Sequence, residues 1–340
     1  MTQTISAMYI FPHATMIFGR SGPRVRRVFP GFTLIELLVS MSVFLILLTL
    51  LLTVVSQTSS IWQNARNKID SFRSARFAFD LINRRLSQAT LNVYGDYDNP
   101  TSPTFYIRKS DLHFVIEPPP DNNFGQGNAI FFQARLGKSN QPGHEGMDSL
   151  LNATGYYVTY GMDANLPPFL AAMDRNRFRL MQYLEPSEDL AVYGTTDSEW
   201  FKRDLTANST VIAENVIFVL FWPRLSMEEE AGGLSLTDDY TYDSRQDANS
   251  AAAPITAHQQ PPLVAVTLVA IDKVSADRLP DAAAPPGIVT ACFKQLFERA
   301  EPAAYAADLA TLEERLNAAR ISYRIFTNTV PLRESKWTKQ

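Results

Sequence analysis

Few side chains in this sequence are grouped for chemistry, and the most suggestive is a single carboxylate. In "GFTLIELLVS", residues 31–40, Glu36 stands three residues after Thr33 at the mouth of an apolar run. That spacing is the capping-box pattern. The Thr hydroxyl at the N-cap accepts from the third helical amide, and the carboxylate reaches back to the N-cap N–H. A negative group in the first turn also suits the helix dipole. Phe32 and Leu37 occupy the positions of a hydrophobic staple. Upstream, Pro30 cannot continue a helix and biases Phe29 towards extended geometry, while Gly31 has no side chain to shield its peptide. The peptide between Gly31 and Phe32 is therefore expected to be unwound and accessible, directly before a helix. A membrane-embedded protease would need such a substrate.

The remaining candidates are weaker. "TDDYTYDSRQD" gathers Asp238, Asp239, Asp243 and Asp247, an oxygen cluster of the kind calcium takes, but without the EF-hand spacing. "GHEGMD" gathers His144, Glu145 and Asp148 around two glycines, groups that could touch a metal, and "FGQGNA" places two glycines in a turn; both read better as loops. The histidines His13, His113, His144 and His258 have no paired spacing. Cys292, the single cysteine, excludes an internal disulfide and any Cys-built metal site; in "TACFKQLF" it reads as a buried apolar residue. No nucleophile-elbow, zincin, phosphate-loop or dinucleotide pattern occurs. No catalytic residue, cofactor or resident metal is expected, and the chain does not read as an enzyme.

The element that must carry Glu36 is plain. Leu37 to Val55 has no charge, Pro or Gly, and as a helix its 19 residues span roughly 28 Å, close to the ~30 Å hydrocarbon core of a bilayer. Its 14 Leu, Ile, Val and Phe residues contribute on the order of −6 kcal/mol to insertion, against about +3 for a carboxylate at the centre. Insertion wins, and Glu36 falls at the edge of the span. Of 31 basic residues, Arg20, Arg24, Arg26 and Arg27 precede Phe32 with no acid among them. That favours a cytoplasmic N-terminus, modestly, because Arg66, Lys68 and Arg73 follow the span. The other 27 basic residues face all 35 acidic ones, so the body is at −8, which argues against nucleic acid as a partner. A secretory signal peptide would have a shorter core and a small-residue cleavage site, which "SQTSSIWQNAR" does not supply. An ordinary signal anchor would explain the arginines and the length, but not the residues before Leu37.

Past Ser56 the pattern becomes striped. Trp62, Ala65, Ile69, Phe72, Ala75, Phe79, Ile82, Leu86 and Ala89 recur at spacings of three and four, one face of a helix turned to a core. One helix is predicted from about Thr33 to about Thr90. Strands are predicted at "TFYIRK", "LHFVIE", "AIFFQARL", "GYYVTYG", "RFRLMQYL", "VIFVLFW", "LVAVTLVAID" and "ISYRIFTNTV", with a helix at residues 310–320. Residues 226–262 are polar and read as a long mobile loop. The fold class is α+β: a long N-terminal helix, membrane-spanning in its first half, laid on antiparallel sheet. The expected divisions are a basic leader at 1–31, the spanning half at 32–56, the amphipathic half at 57–92 and a β-rich body at 93–340.

"GFTLIELLV" resembles the prepilin cleavage and methylation motif of type IV pilins and type II secretion pseudopilins. The resemblance implies that a prepilin peptidase cuts between Gly31 and Phe32 and N-methylates the new Phe32 amine. It implies that Glu36 neutralises the N-terminus of a neighbouring pilin-like subunit, and that inner-membrane assembly machinery and membrane lipid are partners. The body would then be periplasmic, on its way to an envelope fibre or the cell surface. "GYYVTYG", "RFRLMQYLEPSEDLAVY", "NVIFVLFWPR", "LVAVTLVAIDKVSADRL" and "YRIFTNTVPLRESKW" together resemble the Verru_Chthon cassette protein C group, pilin-like proteins of Verrucomicrobia-type bacteria. The "VTL" strand and the terminal "TNTVPLRESKW" are similar to the larger minor pseudopilins of GspJ/PilW type. Two features depart from the common pilin pattern. The leader is long, with Met8 and Met16 as alternative starts, and no proline interrupts the chain between Pro30 and Pro100.

Overall fold

The computed structural model describes residues 31–99, 101–120, 127–144, 146–163, 166–171, 174–194, 199–231, 235–246 and 254–338, side chains at 63–71, 168, 171 and 231 excepted. The chain divides between Ser59 and Ser60 into two units. Helix α1, Leu34–Leu86, begins in the first unit. There every residue from 31 to 59 is exposed, and Leu34–Trp62 is long and apolar enough to cross a membrane.

The second unit is built from β1 (Ala89–Thr90), β2 (Tyr94–Tyr97), β3 (Tyr106–Lys109), β4 (Val115–Glu117), β5 (Ala129–Arg135), β6 (Leu151–Gly161), β7 (Arg177–Glu185), β8 (Ser209–Glu214), β9 (Val216–Arg224), β10 (Tyr242–Asp243), β11 (Leu263–Ile271) and β12 (Tyr323–Pro331). Its helices after α1 are α2 (Pro168–Ala171), α3 (Met227–Ala231), α4 (Lys273–Asp277), α5 (Gly287–Phe293) and α6 (Pro302–Ala318). All strand pairs are antiparallel. One sheet runs β10-β4-β5-β6-β7-β8, with β1 also on β5; a second runs β12-β11-β9; β2 and β3 form a hairpin. The class is α+β, as the sequence indicates.

Apolar content explains which strands lie deepest. "VIFVLFW" in β9 and "AIFFQA" in β5 are buried at every position, the continuous pattern of strands covered on both faces. Phe131 of β5 stacks on Phe201 at 3.9 Å, and Trp200 and Tyr183 meet its edge. Opposite Phe131, residue 155 is glycine, because the ring occupies the space a side chain would fill. The sheets join through β9. Asn215, at φ +60°, lets the chain leave β8 of one sheet and start β9 of the other; Asn tolerates this left-handed geometry better than most residues. On the free edge of β9, Asn128 acts as a one-residue strand. Its N–H donates to Val219 O, its amide Nδ2 donates to Phe221 O, and its Oδ1 accepts from Phe221 N.

Several expectations need correction. Helix α1 stops at Leu86, not Thr90, because Ala89 and Thr90 pair with Ala134 and Gln133 of β5. Its buried face includes Ala75, Ala78, Phe79, Ile82 and Leu86, whereas Trp62, assigned to the same stripe, is exposed. The helix foreseen at 310–320 is α6, which starts at Pro302, where a first-turn proline costs no hydrogen bond. Strand β8 was not foreseen. Residues 226–262 are not a patternless loop in their described parts. They contain α3 and β10, Tyr242 and Asp243 pair with Ile116 and Val115 of β4, and Tyr240, Tyr242, Ser244, Gln259 and Gln260 are buried.

Candidate processing and assembly site

The capping box forms. Thr33 N–H donates to Glu36 Oε2 at 3.0 Å, the Thr33 hydroxyl to the same oxygen at 2.9 Å, and Glu36 N–H to Thr33 Oγ1 at 3.3 Å. Leu37 N–H closes the first turn on Thr33 O. Both Thr33 donors converge on one carboxylate oxygen, so Oε1 has no partner among the described residues. Phe32, at 86% exposed, is hardly covered, and the expected staple with Leu37 is not closed. Nothing lies within 4 Å of where a Gly31 side chain would stand. A peptide with Gly on one side and an uncovered Phe on the other thus abuts a fixed helix start. Arg20, Arg24, Arg26, Arg27 and Pro30 lie outside the described residues.

Along the exposed helix, the polar side chains satisfy themselves. The hydroxyls of Ser40, Ser42, Thr49, Thr53, Ser56 and Thr58 each donate to a carbonyl three or four residues back, at 2.8–3.0 Å. In hydrocarbon an unmade hydrogen bond costs several kcal/mol, so this pattern keeps the span compatible with lipid. Phe32, Ile35, Glu36, Val39, Ser40, Val43, Phe44 and Leu47 line one open groove of this segment. It is apolar but for Glu36 at one end and the internally bonded Ser40.

The acidic candidates do not assemble into a comparable site. Asp238, Asp239 and Asp243 line one cleft, but the Asp239 and Asp243 carboxylates are engaged with other partners. Asp239 Oδ1 accepts from the Thr241 N–H and hydroxyl, Asp238 O accepts from Ala300 N–H, and Asp243 turns to His113. Asp247 lies outside the described residues. Among the described residues no group of three or more His, Cys, Asp or Glu could hold a metal ion. His144 Nδ1 pairs with the Ser139 hydroxyl, Asp148 is exposed, and Glu145 lies outside the described residues. Cys292 is buried, its thiol donating to Ile288 O.

Sequence reasoning missed one buried network. Trp200 Nε1–H donates to His113 Nδ1 at 3.0 Å. An indole only donates, so the His113 proton sits on Nε2, which meets Asp243 Oδ1 at 2.6 Å. Burial pulls the His113 pKa below its ordinary value, against the pull of Asp243. With both ring nitrogens occupied and no exposed surface, His113 is a neutral tie between the start of β4, β10 and the turn at Trp200. Its partners stand 87 and 130 residues away, and no local pattern signals such a triad.

Comparison with known proteins bears on the N-terminal segment alone. Residues 26–52 match the prokaryotic N-terminal methylation motif. The segment thus carries a type IV pilin-like signal, the kind that prepilin peptidase processes, on a helix suited to membrane anchoring. No curated protein and no solved structure matches the chain.

Proposed function

We propose that this protein is a minor pilin-like subunit, a pseudopilin, of an envelope-spanning type IV pilus or type II secretion-like fibre. A prepilin peptidase cleaves between Gly31 and Phe32 and methylates the Phe32 amine. The chain waits in the bacterial inner membrane as a single span, N-terminus cytoplasmic and β body periplasmic, until the helix exchanges lipid for neighbouring helices. Glu36 then pairs with the ammonium at Phe32 of an adjacent subunit. Two charges removed from water are costly unless they meet, and every subunit carries one of each, so head-to-tail packing satisfies all of them.

The observation that carries this reading is the site at Gly31–Glu36. An uncovered Phe32 precedes a helix whose only early charge keeps one oxygen without a partner among the described residues, and whose apolar face is unburied for its full spanning length. The resemblance of the later segments to the Verru_Chthon cassette protein C group and to the larger minor pseudopilins supports a low-copy subunit. A body of about 280 residues beyond the span is large for a thin repeating one. The second reading is a membrane-anchored periplasmic protein that holds a ligand or cargo without polymerising. Intact-mass and N-terminal analysis of protein extracted from its native envelope separates the two. A chain starting at methylated Phe32 is expected; one retaining its leader arginines overturns the proposal and favours the anchored alternative.

A further inference from the structure

We infer that Ile61 and Trp62 form a second anchor: they seat in the lipid headgroup zone at the end of the span away from Gly31, and fix how deep the helix sits. This rests on the membrane reading above. The two residues are 69% and 68% exposed, although the sequence stripe counts Trp62 as core. Adjacent helical positions lie about 100° apart, so together they present a broad apolar surface. Ser56–Gln57–Thr58–Ser59–Ser60 separates them from the apolar run, a polar collar of the kind expected where hydrocarbon ends.

The axial distances fit a lipid interface. Trp62 lies seven helical steps beyond Val55, about 10 Å of helix rise. The headgroup layer adds roughly 5–8 Å on each side of the hydrocarbon core. Side chains on a helix lean towards its N-terminus, so the Trp62 indole reaches back about a turn, roughly 5 Å, from its own Cα. That brings the ring into the headgroup layer. Tryptophan concentrates there because its ring is apolar and its N–H stays with water. Ile61 adds apolar area at the same depth. Lipid is favoured over a protein partner because the pair lies on the same helix one polar collar beyond the exposed apolar run, at headgroup depth, and the described residues leave both side chains exposed.

The full chain reconstituted in phosphatidylethanolamine–phosphatidylglycerol vesicles tests this, using lipids brominated either near the headgroup or near the chain ends. Trp200, Trp222 and Trp337 are present in both chains, so the difference between the native chain and Trp62→Ala isolates the Trp62 emission. That emission is expected to be blue-shifted and quenched more by bromines near the headgroup than by those near the chain ends. A fluorophore on Leu47→Cys, in a Cys292→Ser background, reports on the span independently and is expected to be quenched most by the chain-end bromines. If the Leu47 label behaves so while Trp62 yields to aqueous iodide and not to brominated lipid, the anchor is wrong and the span stands. A blue-shifted Trp62 reached by neither quencher means a protein contact and also overturns the anchor. A Leu47 label beyond the reach of the chain-end bromines removes the membrane reading and this inference with it.

Discussion

Two demands meet on Glu36. In the uncleaved chain its Oε2 caps α1 by accepting from the Thr33 N–H and hydroxyl. After cleavage, its charge would be wanted by the ammonium of a neighbour. Substitution separates the roles. Glu36→Ala loses cap and charge, yet insertion should survive, because the apolar run supplies on the order of 6 kcal/mol. Glu36→Gln keeps the capping-box geometry, since Gln serves at that position, and loses only the charge. Both variants are expected in the membrane fraction in native amount, and both should be depleted from sheared fibres. Normal fibre content in Glu36→Gln would remove the charge-pairing role. The cap was legible in advance because its partners are three residues apart. The His113 tie was not, because a histidine's neighbours depend on how distant strands are brought together. Asp243 shows the same limit. It read as an oxygen ligand in a polar stretch, and the fold spends it on an imidazole.

At the scale of elements, strands with continuous apolar runs announced themselves, and those defined by their partners did not. β5, β7, β9 and β11 lie nearly where "AIFFQARL", "RFRLMQYL", "VIFVLFW" and "LVAVTLVAID" place them. β8 is short and half-exposed, and β10 is two residues long; pairing to β7 and β4 defines them. The last turn expected of α1 failed for a related reason, since Ala89 and Thr90 gain a strand partner that a helix cannot offer. Register also decides where small residues must stay small. A Cβ on Gly155 would lie 2.6 Å from Phe131 Cε1 and 2.8 Å from Ile130 O, so Gly155→Ala must push Phe131 off its stack with Phe201. Overpacking of this kind typically costs about 1–3 kcal/mol, and a matching drop in the urea midpoint of the detergent-solubilised chain is expected. Gly287→Ala, where nothing stands within 4 Å, serves as the control and should leave the midpoint almost unmoved. Equal effects at both positions would mean that the Phe131 ring does not depend on the glycine beneath it.

For the molecule as a whole, two buried groups tilt stability in opposite directions with pH. Burial pushes the Glu185 carboxyl up to about 7, aided by the nearby charges of Asp189 and Asp204 and opposed by the Ala191 N–H. The unfolded chain ionises Glu185 near its ordinary value of 4.5 while the fold keeps it neutral. Its contribution is therefore complete below that value and is lost as pH rises from there through about 7. His113 works the other way. Its folded pKa lies below the ordinary 6.5, so the unfolded chain takes up a proton that the fold refuses, and stability is lost as pH falls below that value. Glu185→Gln isolates the first effect, because the amide keeps the shape and cannot ionise. Melting of native and variant chains across this range should show the variant gaining steadily from pH 4.5 to 7, by on the order of 2 kcal/mol once screening is allowed for, and no further above it. The acid-side loss from His113 should persist in both chains. A gap between the two curves that stays constant across the range would mean that Glu185 is already ionised in the folded protein, its charge met by water and by the Ala191 amide.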